Sequence, residues 1–122
     1  MERKQFETLV QEAIRELPQE FRDKLTNVAV VIEDYPSQEL LDRMEVSEDE
    51  TLFGLYEGVP LTERGHFNAP LHPDRILIFQ GPIEDECDSP EEIREEVRIT
   101  LLHEIAHFFG FDDDELEERG YD

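Results

Sequence analysis

The segment from Ser89 to Gly110 constrains the fold more than any other, because it predicts one long helix with two defined ends. Ser89 is a favourable N-cap residue, Pro90 suits the first helical position, and Glu92 completes a capping box. Gly110 is typical of the residue that follows a helix C-terminus. A small chain that contains this helix must arrange its other elements around it.

The second half of this predicted helix is apolar over most of its circumference. Successive residues turn by about 100°, and this gathers the apolar side chains into one wide arc. The arc consists of Val97, Ile99, Leu101, Leu102, Ile105, Ala106, Phe108 and Phe109. The remaining stripe is polar and contains Thr100, His103, Glu104 and His107. Such a helix is expected to be buried, and its buried polar groups then need partners.

The polar stripe has the spacing of a metal site. Residues four apart lie one turn apart on the same helix face, so His103 and His107 can bind the same ion. Glu104 beside the first histidine is well placed to take a proton from a zinc-activated water. A lone histidine would more often be a packing residue, but the combination of two histidines, the glutamate and Gly110 favours a metal site.

A third metal ligand is expected, since a catalytic zinc site usually has three protein ligands and one open position. Asp113 is the predicted ligand, because Gly110 lets the chain reverse and three further residues bring a side chain back toward the histidines. Asp112 and Asp114 remain alternatives. Asp112 also suits the cap of a last short helix over 114–119, and Asp114 suits an acidic position in its first turn.

The remaining chain predicts an α+β fold with a small sheet. Apolar periodicity indicates a first helix over 6–17, ended by Pro18, with a further helical turn over 18–24. A short helix over 37–44 has Ser37 as its cap. Runs rich in β-branched and aromatic residues predict three strands, over 28–32, 51–57 and 75–80. Loops are expected over 45–50, 58–74 and 83–89; the second has the length of a functional loop and could contain a fourth strand within 59–70.

Length and composition narrow the class of protein. The 122 residues are expected to form one domain, residues 1–122. The net charge of −22 opposes binding to nucleic acid or to an anionic membrane surface. Cys87 is the only cysteine, and neither a signal peptide nor a membrane-spanning run is visible. We therefore expect a cytoplasmic protein, taken to be a monomer.

The pattern His103-Glu104-x-x-His107-x-x-Gly110-x-x-Asp113 resembles the zincin metallopeptidases, and nearly the whole chain resembles the small bacterial "minimal" zincin-like metallopeptidases. Besides that motif, the resemblance is carried by residues 27–34, 55–65 and 74–76. It implies an N-terminal backing helix and a small mixed sheet of three to four strands packed with an active-site helix. It also implies one zinc ion at His103, His107 and Asp113, with Glu104 as general base and a peptide or protein as substrate.

The chain departs from its larger relatives in two features. No methionine follows Asp113, and the motif itself supplies no histidine or tyrosine to stabilise an oxyanion. The candidates for that role by chemistry alone are Tyr56, Arg64, His66, His72 and Tyr121.

The predicted function is a zinc-dependent, endopeptidase-like hydrolase, and the strand over 51–57 could hold an extended peptide by strand addition. The alternative is a zinc-binding module without peptidase activity, acting as a structural or binding protein. A metal-dependent hydrolase of RNA is a third hypothesis, and the negative charge argues against it.

Overall fold

The computed structural model describes residues 1–58, 74–111 and 113–118. The helices are α1 (Arg3–Glu16), α2 (Gln19–Lys24), α3 (Gln38–Arg43), α4 (Gln80–Glu86), α5 (Pro90–Phe108) and α6 (Asp113–Glu118). The strands are β1 (Val28–Glu33), β2 (Gly54–Glu57) and β3 (Asp74–Phe79). None of these helices is both long and apolar enough to cross a membrane.

The described strands form a mixed sheet in the order β1-β3-β2. β1 pairs with β3 in parallel, with Val28 opposite Asp74, and β2 pairs with β3 antiparallel, with Gly54 opposite Ile78. β3 is central among them, which explains why its run of four apolar residues from 76 to 79 is buried on both faces. This mixed sheet and its helices confirm the predicted fold class. The possible fourth strand falls on residues outside those described.

Helix α1 packs along α5 and closes the core on that side. Its buried residues Phe6, Val10 and Ala13 recur at the spacing of one helix face, as the sequence predicts. They meet the buried face of α5, which includes Val97, Leu101 and Ile105. α1 is therefore the backing helix of α5, and the helical turn predicted after Pro18 is α2.

Helix α4 occupies the end of the strand predicted over 75–80 and the start of the loop predicted over 83–89, so this prediction is wrong there. Pro82 lies in the first turn of α4, where a proline lacks no hydrogen bond that the helix would otherwise make. Ile83 is fully buried. Burial in the core thus stabilises a helix that the local sequence argues against.

The N-terminus of α5 is capped by Ser89, but the capping box closes differently from the prediction. The Ser89 hydroxyl accepts a hydrogen bond from the Glu92 N–H at 3.2 Å, as expected. The Glu92 carboxylate accepts from the N–H of Asp88 at 3.0 Å. The glutamate therefore binds the backbone N–H of the residue before the N-cap instead of the N–H of the N-cap itself.

The C-terminus of α5 ends at Gly110 in a Schellman motif. Gly110 has φ +88°, a left-handed conformation in which a Cβ is unfavourable. The N–H of Phe111 donates to the carbonyl of Ala106 at 2.8 Å, and that of Gly110 donates to His107 at 3.2 Å. The chain thus reverses directly after the helix. α6 then begins at Asp113, one residue before the predicted start.

Candidate metal centre

His103 and His107 lie on one face of α5 with nearly parallel rings. Their ring centroids are 6.1 Å apart and their planes differ by 12°. Two imidazoles on one tetrahedral zinc ion, with Zn–N bonds of about 2.0–2.1 Å, have centroids roughly 5 Å apart. A side-chain rotation that closes the pair by about 1 Å would give this geometry, a change within ordinary rotamer freedom. The donor chemistry and the placement of the pair therefore fit a zinc ion.

Glu104 is half-buried between this pair and the edge of the sheet. Its Oε1 accepts a hydrogen bond from the N–H of Tyr56 in β2 at 3.0 Å. Burial raises the pKa of the Glu104 carboxyl above its ordinary value, while the Tyr56 N–H and the nearby His107 and His103 act in the opposite direction. A carboxylate with a raised pKa is a stronger base than one on the surface, as proton transfer near neutral pH requires.

Strand β2 runs beside the polar stripe of α5, and every second residue from position 54 contacts every fourth residue of the helix. Gly54 lies against Thr100, Tyr56 reaches Glu104, and Gly58 faces the ring of Phe108. The steps match because two strand residues advance about 6.6 Å and four helical residues about 6 Å.

The approach of β2 to α5 is closest at Gly54. A Cβ on Gly54 would lie 2.7 Å from Cγ2 of Thr100 and 2.8 Å from the backbone oxygen of Leu77. The absence of a side chain at position 54 therefore sets the distance between β2 and α5.

A cleft of about 220 Å³ opens beside His103 and Glu104. It is lined by Thr51, Leu52, Phe53, Gly54, Glu96, Ile99, Thr100, His103 and Glu104. A larger groove of about 510 Å³ between α1 and β1 has no histidine in its lining. The smaller cleft is the one that joins the edge strand to the polar stripe.

Glu96 belongs to this stripe and was missed by the sequence reasoning. Glu96, Thr100, His103 and His107 follow an i, i+4, i+7, i+11 spacing, so continuing the helical projection one turn back would have found it. The Thr100 hydroxyl donates to Oε2 of Glu96 at 3.4 Å. Burial is also the main cause that raises the pKa of Glu96.

The predicted burial of the whole apolar arc is wrong for its last turn. Phe108 and Phe109 are each 44 % exposed. The helix extends beyond the core after Ala106, and each of the two rings instead packs against a side chain of another element. Phe108 stacks on Tyr56 with centroids 4.0 Å apart, and Phe109 lies beneath the ammonium of Lys24 at 4.6 Å.

The backbone of Asp113 begins α6, three residues after Gly110. Its side chain, like the whole of Asp112, lies outside the described part of the structure. Among the side chains that are described, no group of three histidines, cysteines or carboxylates is placed to hold a metal ion. The alternative Asp114 is described and exposed, and it joins no such group. The choice of Asp113 as third ligand remains a prediction.

Of the oxyanion candidates, only Tyr56 falls within the described residues. Its hydroxyl donates to Oδ2 of Asp74 at 2.9 Å in a buried position. The Tyr56 hydroxyl is therefore already engaged in a hydrogen bond within the core. The other four candidates lie outside the described ranges.

The fold and the site together define a class: a small α+β protein in which a long helix carries the His-Glu-x-x-His pattern beside the edge of a mixed sheet. A family profile described as zincin-like metallopeptidase matches residues 25–121. The chain therefore belongs to the zincin-like metallopeptidase family. That membership implies zinc binding and peptidase chemistry in general terms.

A solved structure described as a conserved hypothetical protein from Thermus thermophilus is similar to this chain in fold. The TM-score is 0.53 and the sequence identity 22 %, over 93 % of this chain and 95 % of the other. At this identity the likeness shows the fold alone. No curated protein matches the sequence.

Proposed function

We propose that this chain is a zinc-dependent peptidase in which His103, His107 and Asp113 hold the metal and Glu104 is the general base. One observation carries the proposal: Glu104 sits half-buried between two parallel imidazoles and the backbone of the edge strand. Membership of the zincin-like metallopeptidase family supports it. The proposal treats residues 1–122 as one domain that acts on peptides or proteins.

The separate roles of the zinc ion and Glu104 follow from the chemistry of peptide hydrolysis. A zinc ion at the histidine pair would supply Lewis acidity to the scissile carbonyl and to an attacking water. The Glu104 carboxylate would accept the proton of that water and return it to the leaving amine. Its raised pKa helps both transfers, since the carboxylate is more basic and its acid form persists closer to neutral pH.

Strand β2, which lies at an edge of the sheet formed by the described strands, suits an extended substrate. The N–H of Phe79 donates to the carbonyl of Phe53 at 2.9 Å, and hydrogen-bonding direction alternates along an antiparallel strand. The N–H of Tyr56 accordingly points away from β3 and toward α5, where Glu104 receives it. A peptide added beside β2 would lie across the polar stripe, with its backbone held by the strand.

The alternative function, a zinc-binding module without peptidase activity, also has an observation in its favour. The carboxylate of Glu104 already accepts the N–H of Tyr56, so it is engaged as a structural acceptor. Under this alternative the chain would bind zinc and leave peptides intact.

The test compares the full chain with its Glu104→Gln and His103→Ala variants. Zinc is measured by elemental analysis after loading and desalting, and hydrolysis is measured on a degenerate peptide library with and without chelator. We expect about one equivalent of zinc and chelator-sensitive cleavage in the unmodified chain. Glu104→Gln should retain zinc and lose cleavage, and His103→Ala should lose both.

A matched control is Glu95→Gln, which removes the same charge from an exposed position on the same helix. It should retain zinc and cleavage. Cleavage by Glu104→Gln would refute the general-base role. Failure of the unmodified chain to take up zinc would refute the whole proposal, and zinc uptake without cleavage would establish the alternative.

A further inference from the structure

We infer that the cleft beside His103 is a subsite for a cationic side chain, lysine or arginine, with the carboxylate of Glu96 as its anionic partner. This inference rests on the proposed function, because it assigns a class of substrate to the same site. The argument depends on where Glu96 lies, on what surrounds it, and on the path of a peptide along β2.

Glu96 lies on the metal-site face of α5, two turns before His103. Its place in the i, i+4, i+7 series with Thr100 and His103 puts its side chain in the cleft, whose lining it shares with both. The described residues around it provide a single hydrogen bond, from the Thr100 hydroxyl at 3.4 Å. A carboxylate has about four acceptor positions, so most of its capacity remains for a ligand.

No lysine or arginine of the described chain neutralises Glu96. The described lysines and arginines form no ion pair with it, whereas the neighbouring Glu95 is paired with Arg98 on another face of the helix. Burial raises the pKa of Glu96; the Thr100 hydrogen bond and nearby His103 act in the opposite direction, and Glu86 and Glu95 add to the rise. A half-buried carboxylate that has no lysine or arginine partner among the described residues favours a cationic ligand, which would offset the cost of its burial.

The walls of the cleft suit the stem of a long basic side chain. Leu52, Phe53 and Ile99 supply apolar surface, and Glu96 and Thr100 supply polar atoms. Lysine and arginine bury their methylene stems against apolar surface while the charged group reaches a polar partner. The volume of about 220 Å³ is sufficient for one such side chain.

The distance along the helix predicts where the basic residue lies in the substrate. Seven helical residues separate Glu96 from His103, which corresponds to about 10 Å along the axis. An extended peptide advances about 3.3 Å per residue, so the cationic residue should lie roughly two or three positions from the scissile bond. It should lie on the side toward the N-terminus of α5.

The experiment measures binding on a protein that cannot consume its ligand. The zinc-loaded full-length Glu104→Gln variant is titrated with fluorescent eight-residue peptide libraries. All positions are degenerate among uncharged residues except one, which is lysine in one library and norleucine in the other. Norleucine keeps the stem and removes the charge. We expect the lysine library to bind about tenfold more tightly, the effect of one charge-assisted hydrogen bond in a partly buried site.

Two further substitutions locate the effect. Added to the same protein, Glu96→Gln should reduce the lysine preference to less than twofold. Glu95→Gln, which changes the net charge equally, should leave it unchanged. This comparison separates the subsite from general attraction of cations to a chain of charge −22. If Glu96→Gln fails to fold, the lysine preference is measured again at high salt, which screens general attraction to the surface more than a pair in a partly buried cleft; a preference that disappears there would overturn the subsite.

Equal binding of the two libraries, a preference that survives Glu96→Gln, or no peptide binding at all would each overturn the subsite. Its failure differs from failure of the proposed function. A peptidase that cuts lysine and norleucine peptides equally loses only the subsite. A protein that shows the Glu96-dependent preference without cleavage keeps the subsite and loses the peptidase assignment. In an active protein, cuts should fall two or three residues from lysine.

Discussion

Replacing Gly54 with alanine should destabilise the protein, because it forces a methyl group into the contact between β2 and α5. The added Cβ would meet Cγ2 of Thr100 at 2.7 Å and the backbone oxygen of Leu77 at 2.8 Å. Ordinary contacts of a Cβ begin at 3.4 Å. Neither neighbour can retreat easily, since Thr100 is buried and β-branched and the Leu77 oxygen belongs to the central strand.

The expected cost is that of an overpacked core, about 1–3 kcal/mol in the free energy of unfolding. For a chain of this length, 1 kcal/mol corresponds to roughly 4 °C in Tm, so the melting temperature should fall by about 4–12 °C. The assay is urea and thermal unfolding followed by circular dichroism. Chelator is present throughout, so that metal binding does not add to the stability of either protein.

Gly81→Ala is the matched control, because a Cβ added there also overlaps with neighbouring atoms if nothing moves. Its neighbours are the ring atoms of Tyr35, a side chain that is 58 % exposed and can rotate into solvent. The loss of the exposed hydrogen bond from Tyr35 to Asp85 is offset by the helical preference of alanine over glycine in α4. Gly81→Ala should therefore stay within about 0.5 kcal/mol of the unmodified chain. Equal costs at the two positions would refute the reasoning.

Three further predictions concern stability. Gly110→Ala should cost about 1 kcal/mol in urea unfolding through its positive φ alone, since no atom lies within 4 Å of the added Cβ; an asparagine there should cost less. Tyr56→Phe should cost about 1–2 kcal/mol in the same assay, because it removes the hydroxyl that donates to buried Asp74. Glu96→Gln should raise Tm at pH 7, and the gain should vanish below pH 4.5, the ordinary pKa of a glutamate. The sign follows because a raised folded-state pKa contributes stability that is present at low pH and lost as Glu96 ionises. A Tm gain that persists at low pH would contradict this cause.

The ends of α5 were predictable because helix capping is a local property. Ser89 and Gly110 act on residues within one turn of themselves, so the sequence contains all the information that is needed. The helical spacing was likewise sufficient to place His103 and His107 on one face.

Helix α4 and the exposed last turn of α5 depend on tertiary context instead. The helix around Pro82 forms because the core buries Ile83, and a local reading of the Gly-Pro pair points the other way. The angular projection of α5 could not show that the core ends at Ala106, so it placed Phe108 and Phe109 inside. A helical projection gives directions around the axis and contains no information on where the neighbouring elements stop.

The contact between Glu104 and Tyr56 also could not be predicted from the sequence. It depends on how closely β2 docks on α5, and that distance follows from Gly54 meeting Thr100. The glycine lies within the predicted strand over 51–57, but its partner is 46 residues away along the chain. Pairings of this range follow from the completed fold and not from a local pattern.

The hydrogen bond from Tyr56 to Glu104 has a consequence for the behaviour of the protein at high concentration. An exposed edge strand is a template on which other chains can aggregate. Here a charged side chain already occupies an outward-facing donor of β2, so an incoming strand must displace a carboxylate before it can pair at that point. The same residue that is proposed to perform the chemistry thereby protects this edge of the described sheet, and Glu104→Ala, which removes the acceptor, should make the protein more prone to self-association.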